Sequence, residues 1–378
     1  MISVFYWGPF IDNRIATVKA IYNSALGINK YSNKFRASIV NSIGEWNFKI
    51  NKENSKNFLD QNLNIYNQLP KFGFMKSRIS YLLIFILCFF QLLNILKKHK
   101  PDIFIAHLIV SLPLVLFRIF NFKSKLIIRI SGKPKLNTFR KFVWKFGSKN
   151  VYKVFCPTSE TKEILRKKKI FDEKKIFVVT DPVFNVKNFC SLKKKKGFDK
   201  RFEKNNIIMV GRLTYQKNFD LIIDAYIKND NLKNKYKIFI LGAGELENSL
   251  KRKIKSNNLH NKIIFLGHKN NVIKYMKSSD LFISTSLWED PGFVLIEAAL
   301  SNISIISSDC PSGPKEIILE NESGGYLFKN NNQQDLNKKI NQFLIDDKNV
   351  ILEKKIYIKK NIKKFSVFNH VNLMKKYL

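Results

Sequence analysis

Carboxylates are scarce in this chain: 29 Asp and Glu stand against 67 Lys and Arg, for a formal net charge of +38. From Ile103 to Ser159 there is none at all, while eleven Lys or Arg lie between Arg118 and Lys153. Such a field draws polyanions (nucleic acid, acidic lipid headgroups or a diphosphate) or is simply a solvated face. Cysteine is sparse too. Cys88, Cys156, Cys190 and Cys310 form no C-x-x-C pair, which argues against a thiolate metal knuckle or a disulfide framework. Three of the four sit within or beside apolar runs and read as small buried hydrophobes in a reducing compartment. No basic stretch precedes Ile2–Trp7, so no cleaved signal peptide is expected. There is no short internal repeat, and no basic motif interleaved with aromatics of the kind RNA-binding sheets carry, which weighs against nucleic acid as partner.

What is present in quantity is apolar and positively charged. Lys, Asn, Ile and Phe are all over-used, so part of the charge is general compositional drift. With 378 residues, 45% of them apolar, the chain is long enough for two cores. Strand candidates at 2–7, 103–106, 125–130, 151–155 and 176–180 are separated mostly by helical stretches, including 14–26, 79–98 and 160–169. A second array follows, with strands at 206–210, 236–241, 262–266, 280–285 and 303–307 and helices near 218–228, 245–257, 270–278 and 293–301. Two βαβ arrays imply an α/β protein with two doubly wound parallel sheets. The polar stretch 181–205, with Lys193-Lys194-Lys195-Lys196-Gly197, reads as the linker. The expected domains are 1–185 and 186–350, followed by a helical tail, 351–378. In two such domains ligands are expected outside the carboxyl ends of the strands, in the cleft between the sheets.

One segment is greasy enough for a membrane. Ile79 to Leu96 is interrupted only by Ser80, Gln91 and Asn94, with Lys76 and Arg78 before it and Lys97, Lys98 and Lys100 after it. Its length is near the lower limit for a span. The strand-like Ile103–Ala106 follows at once, so the segment is expected to pack back on the sheet, with an apolar outer side against a bilayer and basic ends at the headgroups.

Chemistry-bearing residues recur at successive strand ends of the second array. Gly211-Arg212-Leu213-Thr214-Tyr215-Gln216-Lys217-Asn218 puts two cations into one loop, suited to a diphosphate or merely solvated. Leu241-Gly242-Ala243-Gly244-Glu245 allows close backbone approach to a ligand, or is a tight turn. Leu266-Gly267-His268 ends the next strand. Trp288-Glu289-Asp290-Pro291-Gly292-Phe293-Val294-Leu295-Ile296-Glu297 follows the run Leu281–Ser286, with Glu289 in the loop and Glu297 about two turns into a helix. Exposed N–H groups at a helix start favour an anion, and two carboxylates beside them suit the hydroxyls of a sugar or ribose. Cys310-Pro311-Ser312-Gly313-Pro314-Lys315-Glu316 supplies the last loop, with Glu316 a capping residue or a ligand contact.

Together these motifs resemble the retaining glycosyltransferases of the GT-B fold, in particular the group 1 (GT4-type) family and its members that build bacterial surface polysaccharides on lipid carriers. The resemblance covers about 205–328 and rests on V-G-R-L-x4-K-N at 210–218, L-G-A-G-E at 241–245, F-L-G at 265–267, E-D-P-G-F-V-L-I-E-A at 289–298 and S-G-P-K-E at 312–316. It implies that the first domain binds the acceptor and the second a nucleotide sugar. Arg212 and Lys217 would hold the donor diphosphate and Glu297 the ribose hydroxyls. Glu289 would bind hydroxyls of the transferred sugar. The amides around Gly292 and Phe293 would meet sugar and phosphate, Gly211 and Gly242 would let the backbone approach the nucleotide, and His268 would lie at the base. The first-strand loop of the family usually carries paired glycines; here Gly8 is the only one. No D-x-D triad is present in a suitable loop, in keeping with an enzyme that uses cations and a helix terminus rather than a metal, and no cofactor is implied. In the first domain His107 and Arg129 stand at strand ends, where they are candidates to contact the acceptor or the reacting sugar; the alternative for His107 is a structural role. The expected partners are a nucleotide sugar, a lipid-linked or lipopolysaccharide-type glycan acceptor and an anionic membrane surface, with the protein peripheral on the cytoplasmic face. Competing readings are another GT-B enzyme (a nucleotide-sugar 2-epimerase or a phosphorylase) or a basic nucleic-acid-binding protein.

Overall fold

Buried strands of a parallel sheet read as continuous apolar runs because both faces are covered. In the computed structural model these runs form two sheets in two compact units, residues 1–185 with 365–378, and residues 186–364. The structure describes every residue except 14, 51–54, 71–73, 135, 195–201, 203, 204 and 320. Part of the polylysine stretch of the expected linker, Lys195 to Gly197, therefore lies outside the described residues, as does Arg14 of the first-strand loop.

The first unit contains Ile2–Trp7 (β1), Phe35–Asn41 (β2), Phe58–Asp60 (β3), Ile103–Ala106 (β4), Lys125–Arg129 (β5), Val151–Cys156 (β6) and Ile176–Val178 (β7). All seven are parallel, in the order β3-β2-β1-β4-β5-β6-β7, so the chain order reverses between β1 and β4. Successive side chains of a strand point to opposite faces. Phe5, Trp7, Phe104 and Ala106 enter one core with the helices Phe74–His99, Ser111–Ile119 and Thr138–Gly147. Val4, Tyr6, Ile103 and Ile105 enter the other, with the helices Ala16–Tyr31 and Val367–Tyr377. Asn137 and Thr158 cap the helices that follow them by accepting the N–H three residues on.

The second unit contains Asn206–Val210 (β8), Lys237–Leu241 (β9), Ile263–Gly267 (β10), Leu281–Ser284 (β11), Ser304–Asp309 (β12) and Tyr326–Lys329 (β13). These are also all parallel, in the order β10-β9-β8-β11-β12-β13. The strands β2, β3 and β13 and the helices Ser111–Ile119 and Thr138–Gly147 were not among the expected elements. The strand β2 carries Arg36 and Ser38 between its apolar residues, and β3 is three residues long at an edge, so neither makes a sustained apolar run.

The tail, expected as one piece from 351, is divided. Lys348–Asn361 belongs to the second unit, whereas Val367–Tyr377 packs on Ala16–Tyr31 in the first. The greasy segment is a helix of the first unit. Ser80, Ile84, Cys88, Leu92, Ile95 and Leu96 repeat at helical spacing and are at most 1% exposed. That stripe is part of the first core, so the helix lies on the sheet and does not stand free to cross a bilayer.

Candidate active site

Five loops of the second unit leave the carboxyl ends of β8 to β12, and hydrogen bonds tie them to one another. Gly211 N donates to Leu241 O at 3.0 Å, Gly242 N to Gly267 O at 3.0 Å and Leu213 N to Ala243 O at 3.0 Å. Leu287 N donates to Gln216 O at 2.8 Å, and Glu289 N to Pro311 O at 3.0 Å. At Gly242 the loops come so close that a Cβ would lie 1.8 Å from Gly211 O, with φ at +149°, so only glycine fits.

The strands β8 and β11 are hydrogen-bonded neighbours where the chain order reverses, the place in an open α/β sheet where ligands bind. Lys217 reaches this point from β8 and Glu289 from β11. Their Nζ and Oε1 are 2.5 Å apart, with the side chains only 16% and 9% exposed. Ser286 Oγ donates to the same Oε1 at 2.6 Å, and Thr285 Oγ1 to Lys217 O at 3.0 Å. Gln216 Nε2 holds Trp288 O at 2.9 Å. Two charges removed from water rarely stabilise a fold on balance, because desolvation offsets their attraction. What this pair does is fix an ammonium and a carboxylate at a loop junction. Arg212 is exposed and, among the described residues, its guanidinium makes one long hydrogen bond, Nη2 to Gln216 Oε1 at 3.5 Å, so it retains donors for an anion.

The helix after β11 is Phe293–Leu300, with Gly292 at its start in a left-handed conformation, φ +99°. Glu297 is therefore just over one turn into the helix, not two, and is half-buried. This brings it nearer the helix's exposed N–H groups. Phe293 is buried in the first turn, and His268 is exposed just past β10.

The first-unit candidates separate into two kinds. Arg129 is not available for a substrate: its Nη2 forms a 2.5 Å ion pair with Asp181 Oδ1 and its Nη1 donates to Val179 O at 2.5 Å, with both side chains buried. Burial raises the Asp181 carboxyl, and Arg129 opposes that rise. The guanidinium thus ties β5 to the chain beyond β7. His107 follows β4 and is 5% exposed, and its main-chain N donates to Trp7 O at 2.7 Å. Burial, then the nearby Arg129 and His370, hold its imidazole well below the ordinary histidine range, so it is neutral. Its Nδ1 has no hydrogen-bond partner among the described residues. A buried polar nitrogen without a partner is uncommon and calls for an explanation. Gly8 passes directly over it; a Cβ there would lie 2.9 Å from His107 Cβ and 2.9 Å from Ile21 Cδ1, so close packing accounts for this glycine.

Residues 191–365 match the family model described as glycosyl transferases group 1. The second unit is a group 1 glycosyltransferase domain. An uncharacterized glycosyltransferase of Methanocaldococcus jannaschii is 29% identical over 247 residues, which cover 61% of this chain and 61% of that protein. The Escherichia coli UDP-Gal:alpha-D-GlcNAc-diphosphoundecaprenol alpha-1,3-galactosyltransferase is 28% identical over 307 residues, covering 75% of this chain and 77% of that one. The chain thus spans about three fifths of the first relative and three quarters of the second. Among solved structures, Anabaena HepE in complex with UDP superimposes with a TM-score of 0.75 at 13% identity, over 99% of both chains. At that identity the likeness establishes the fold, which is GT-B.

In this glycosyltransferase domain the residues that hold Glu289 in place, Ser286 and Gln216, were not singled out in the sequence. A signal was available: Ser284-Thr285-Ser286 turns polar at the end of a buried strand, where side-chain hydrogen bonds are needed. Among the described residues no group of three His, Cys, Asp or Glu side chains is placed to hold a metal ion.

Proposed function

We propose that the chain is a retaining, metal-independent glycosyltransferase that moves a sugar from a nucleoside-diphosphate sugar to a lipid-linked or lipopolysaccharide-type glycan. The observation that carries this is the Lys217–Glu289 pair at the sheet's reversal point, flanked by exposed Arg212 and by the helix carrying Glu297. Arg212 and Lys217 bind the diphosphate and stabilise it as it leaves. Glu297 accepts hydrogen bonds from the ribose hydroxyls, and Glu289 from those of the transferred sugar. The acceptor hydroxyl attacks from the face the diphosphate leaves, and the departing phosphate takes its proton, so no protein base is required. The acceptor class is supported by the E. coli relative, whose name specifies a diphosphoundecaprenol-linked substrate, and the diphosphate by UDP in HepE. We read the enzyme as peripheral on the cytoplasmic face of the membrane; the lipid-carrier acceptor named for the E. coli relative supports the membrane-peripheral part of that reading.

The test is thermal stabilisation by a panel of nucleoside diphosphates. Ligand at a hundred times its dissociation constant adds about 2.7 kcal/mol. One nucleotide is expected to stabilise the wild type and not Glu297→Ala, and Arg212→Ala is expected to lose about a hundredfold in turnover. No shift with any nucleotide, from folded protein, refutes the reading. Nucleoside diphosphate release that does not depend on added acceptor points to epimerisation instead.

A further inference from the structure

The outer side of the first unit's helical layer presents apolar and basic residues to solvent in register. On helix Phe74–His99, Ile79, Leu82, Leu83, Ile86 and Phe90 recur at spacings of three and four, the stripe opposite the buried one. Three of these, Leu82, Ile86 and Phe90, are 60%, 57% and 72% exposed. A second stripe lies on Thr138–Gly147. Phe139, Phe142 and Phe146 are exposed at 75%, 68% and 41%, while Trp144 of the same helix is buried in the core. Beside the phenylalanines runs a row of exposed lysines, Lys141, Lys145 and Lys149, at intervals of four. The helix Ser111–Ile119 packs against both of these helices, and its Arg118 guanidinium lies 5.3 Å from the centre of the Phe146 ring. The two stripes are thus the outer surface of one layer.

Large exposed apolar side chains in contiguous rows are unusual on a protein surrounded by water. The surrounding charge selects the occupant. Residues 61–159 contain a single carboxylate, Asp102, and both its main chain and its side chain are engaged by Ser3 at the opposite end of the β1/β4 pair from His107. A protein groove would need matching acids on a partner of defined shape. A bilayer with anionic headgroups needs only aromatic and aliphatic groups beside lysines, with rings at the acyl boundary and ammonium groups among the phosphates. We propose that the Phe139/Phe142/Phe146 row with Lys141, Lys145 and Lys149, together with the outer stripe of Phe74–His99, is a docking face that lies flat on an anionic lipid surface. This rests on the membrane-peripheral transferase reading and adds the surface that makes the contact.

The experiment is vesicle co-sedimentation of the full chain, with neutral phosphatidylcholine vesicles and with vesicles carrying about a third phosphatidylglycerol. Wild type is compared with Phe139→Ser/Phe142→Ser/Phe146→Ser and with Lys141→Gln/Lys145→Gln/Lys149→Gln. Wild type is expected to bind the anionic vesicles and to be weakened by added salt. The lysine variant should partition about a hundredfold less, since each cation near such a surface is worth about 1 kcal/mol, and the phenylalanine variant at least about tenfold less. All these side chains are exposed, so both variants should keep the wild-type melting temperature and its shift with nucleoside diphosphate. Vesicle binding that is absent in wild type, or undiminished in both variants, overturns the docking face. So does a concentration-dependent dimer that the phenylalanine variant abolishes without any lipid. A normal nucleotide shift without vesicle binding sinks the docking face and leaves the transferase reading standing; loss of the nucleotide shift in wild type sinks the latter.

Discussion

Replacing Glu289 by glutamine keeps the shape of the side chain and an oxygen for Ser286 Oγ, and removes only the charge facing Lys217. The ammonium, 16% exposed, then has no carboxylate at 2.5 Å. Removing one partner of a buried pair costs about 3–5 kcal/mol, and residual exposure of Lys217 puts this case near 3 kcal/mol. In a unit of this size that lowers the melting temperature by about 6–12 °C. A bound diphosphate reverses the sign. It supplies the missing anion and no longer faces the Glu289 carboxylate, so the stabilisation given by saturating nucleoside diphosphate should exceed that of the wild type. Transfer nevertheless falls, because the carboxylate that would bind the moving sugar is gone. Scanning calorimetry with and without nucleotide, run beside a turnover assay, reads all three quantities. If Glu289→Gln melts with the wild type and shows the same or a smaller nucleotide shift, the pair does not hold the phosphate-binding lysine, and the assignment of Lys217 fails.

Two further outcomes follow from the first unit. Burial pushes the Glu45 carboxyl up to about 7, against the pull of N–H groups from Ser42 and Ile43. Because the folded value is raised, the neutral acid is tolerated at low pH and stability declines as pH rises from about 4.5 towards 7. Glu45→Gln should therefore be more stable than wild type above pH 7, and the advantage should vanish below about pH 4.5 in urea titrations; a constant difference across that range contradicts the burial argument. Asp181→Asn keeps an oxygen for Arg129 Nη2 but leaves the buried guanidinium without its opposing charge, and should cost about 3 kcal/mol without altering the nucleoside diphosphate shift. An altered shift with unchanged stability would return Arg129 to the list of substrate contacts.

The sequence by itself determined the class of fold and the location of the chemistry. Central parallel strands such as Ile103–Ala106 and Leu281–Ser284 are buried on both faces, so they appear as uninterrupted apolar runs, and the loops that follow them carry the glycines, cations and carboxylates. Edge strands such as β3 escape that signal because they are short and half-covered. The tertiary structure decided which candidates share a site and which are spent elsewhere. Lys217 and Glu289 are 72 residues apart and meet because β8 and β11 are neighbours. Arg129 and Asp181 are 52 apart, and their meeting turns a candidate ligand contact into an internal brace. The same holds for the surface. Hydropathy marked Ile79–Leu96 as greasy, but only packing against the sheet separated its buried stripe from its exposed one and set it in one layer with the phenylalanine row of Thr138–Gly147. Pairing between distant strands and the direction in which a helix turns its faces depend on contacts across the fold, and a linear pattern of residues does not record them.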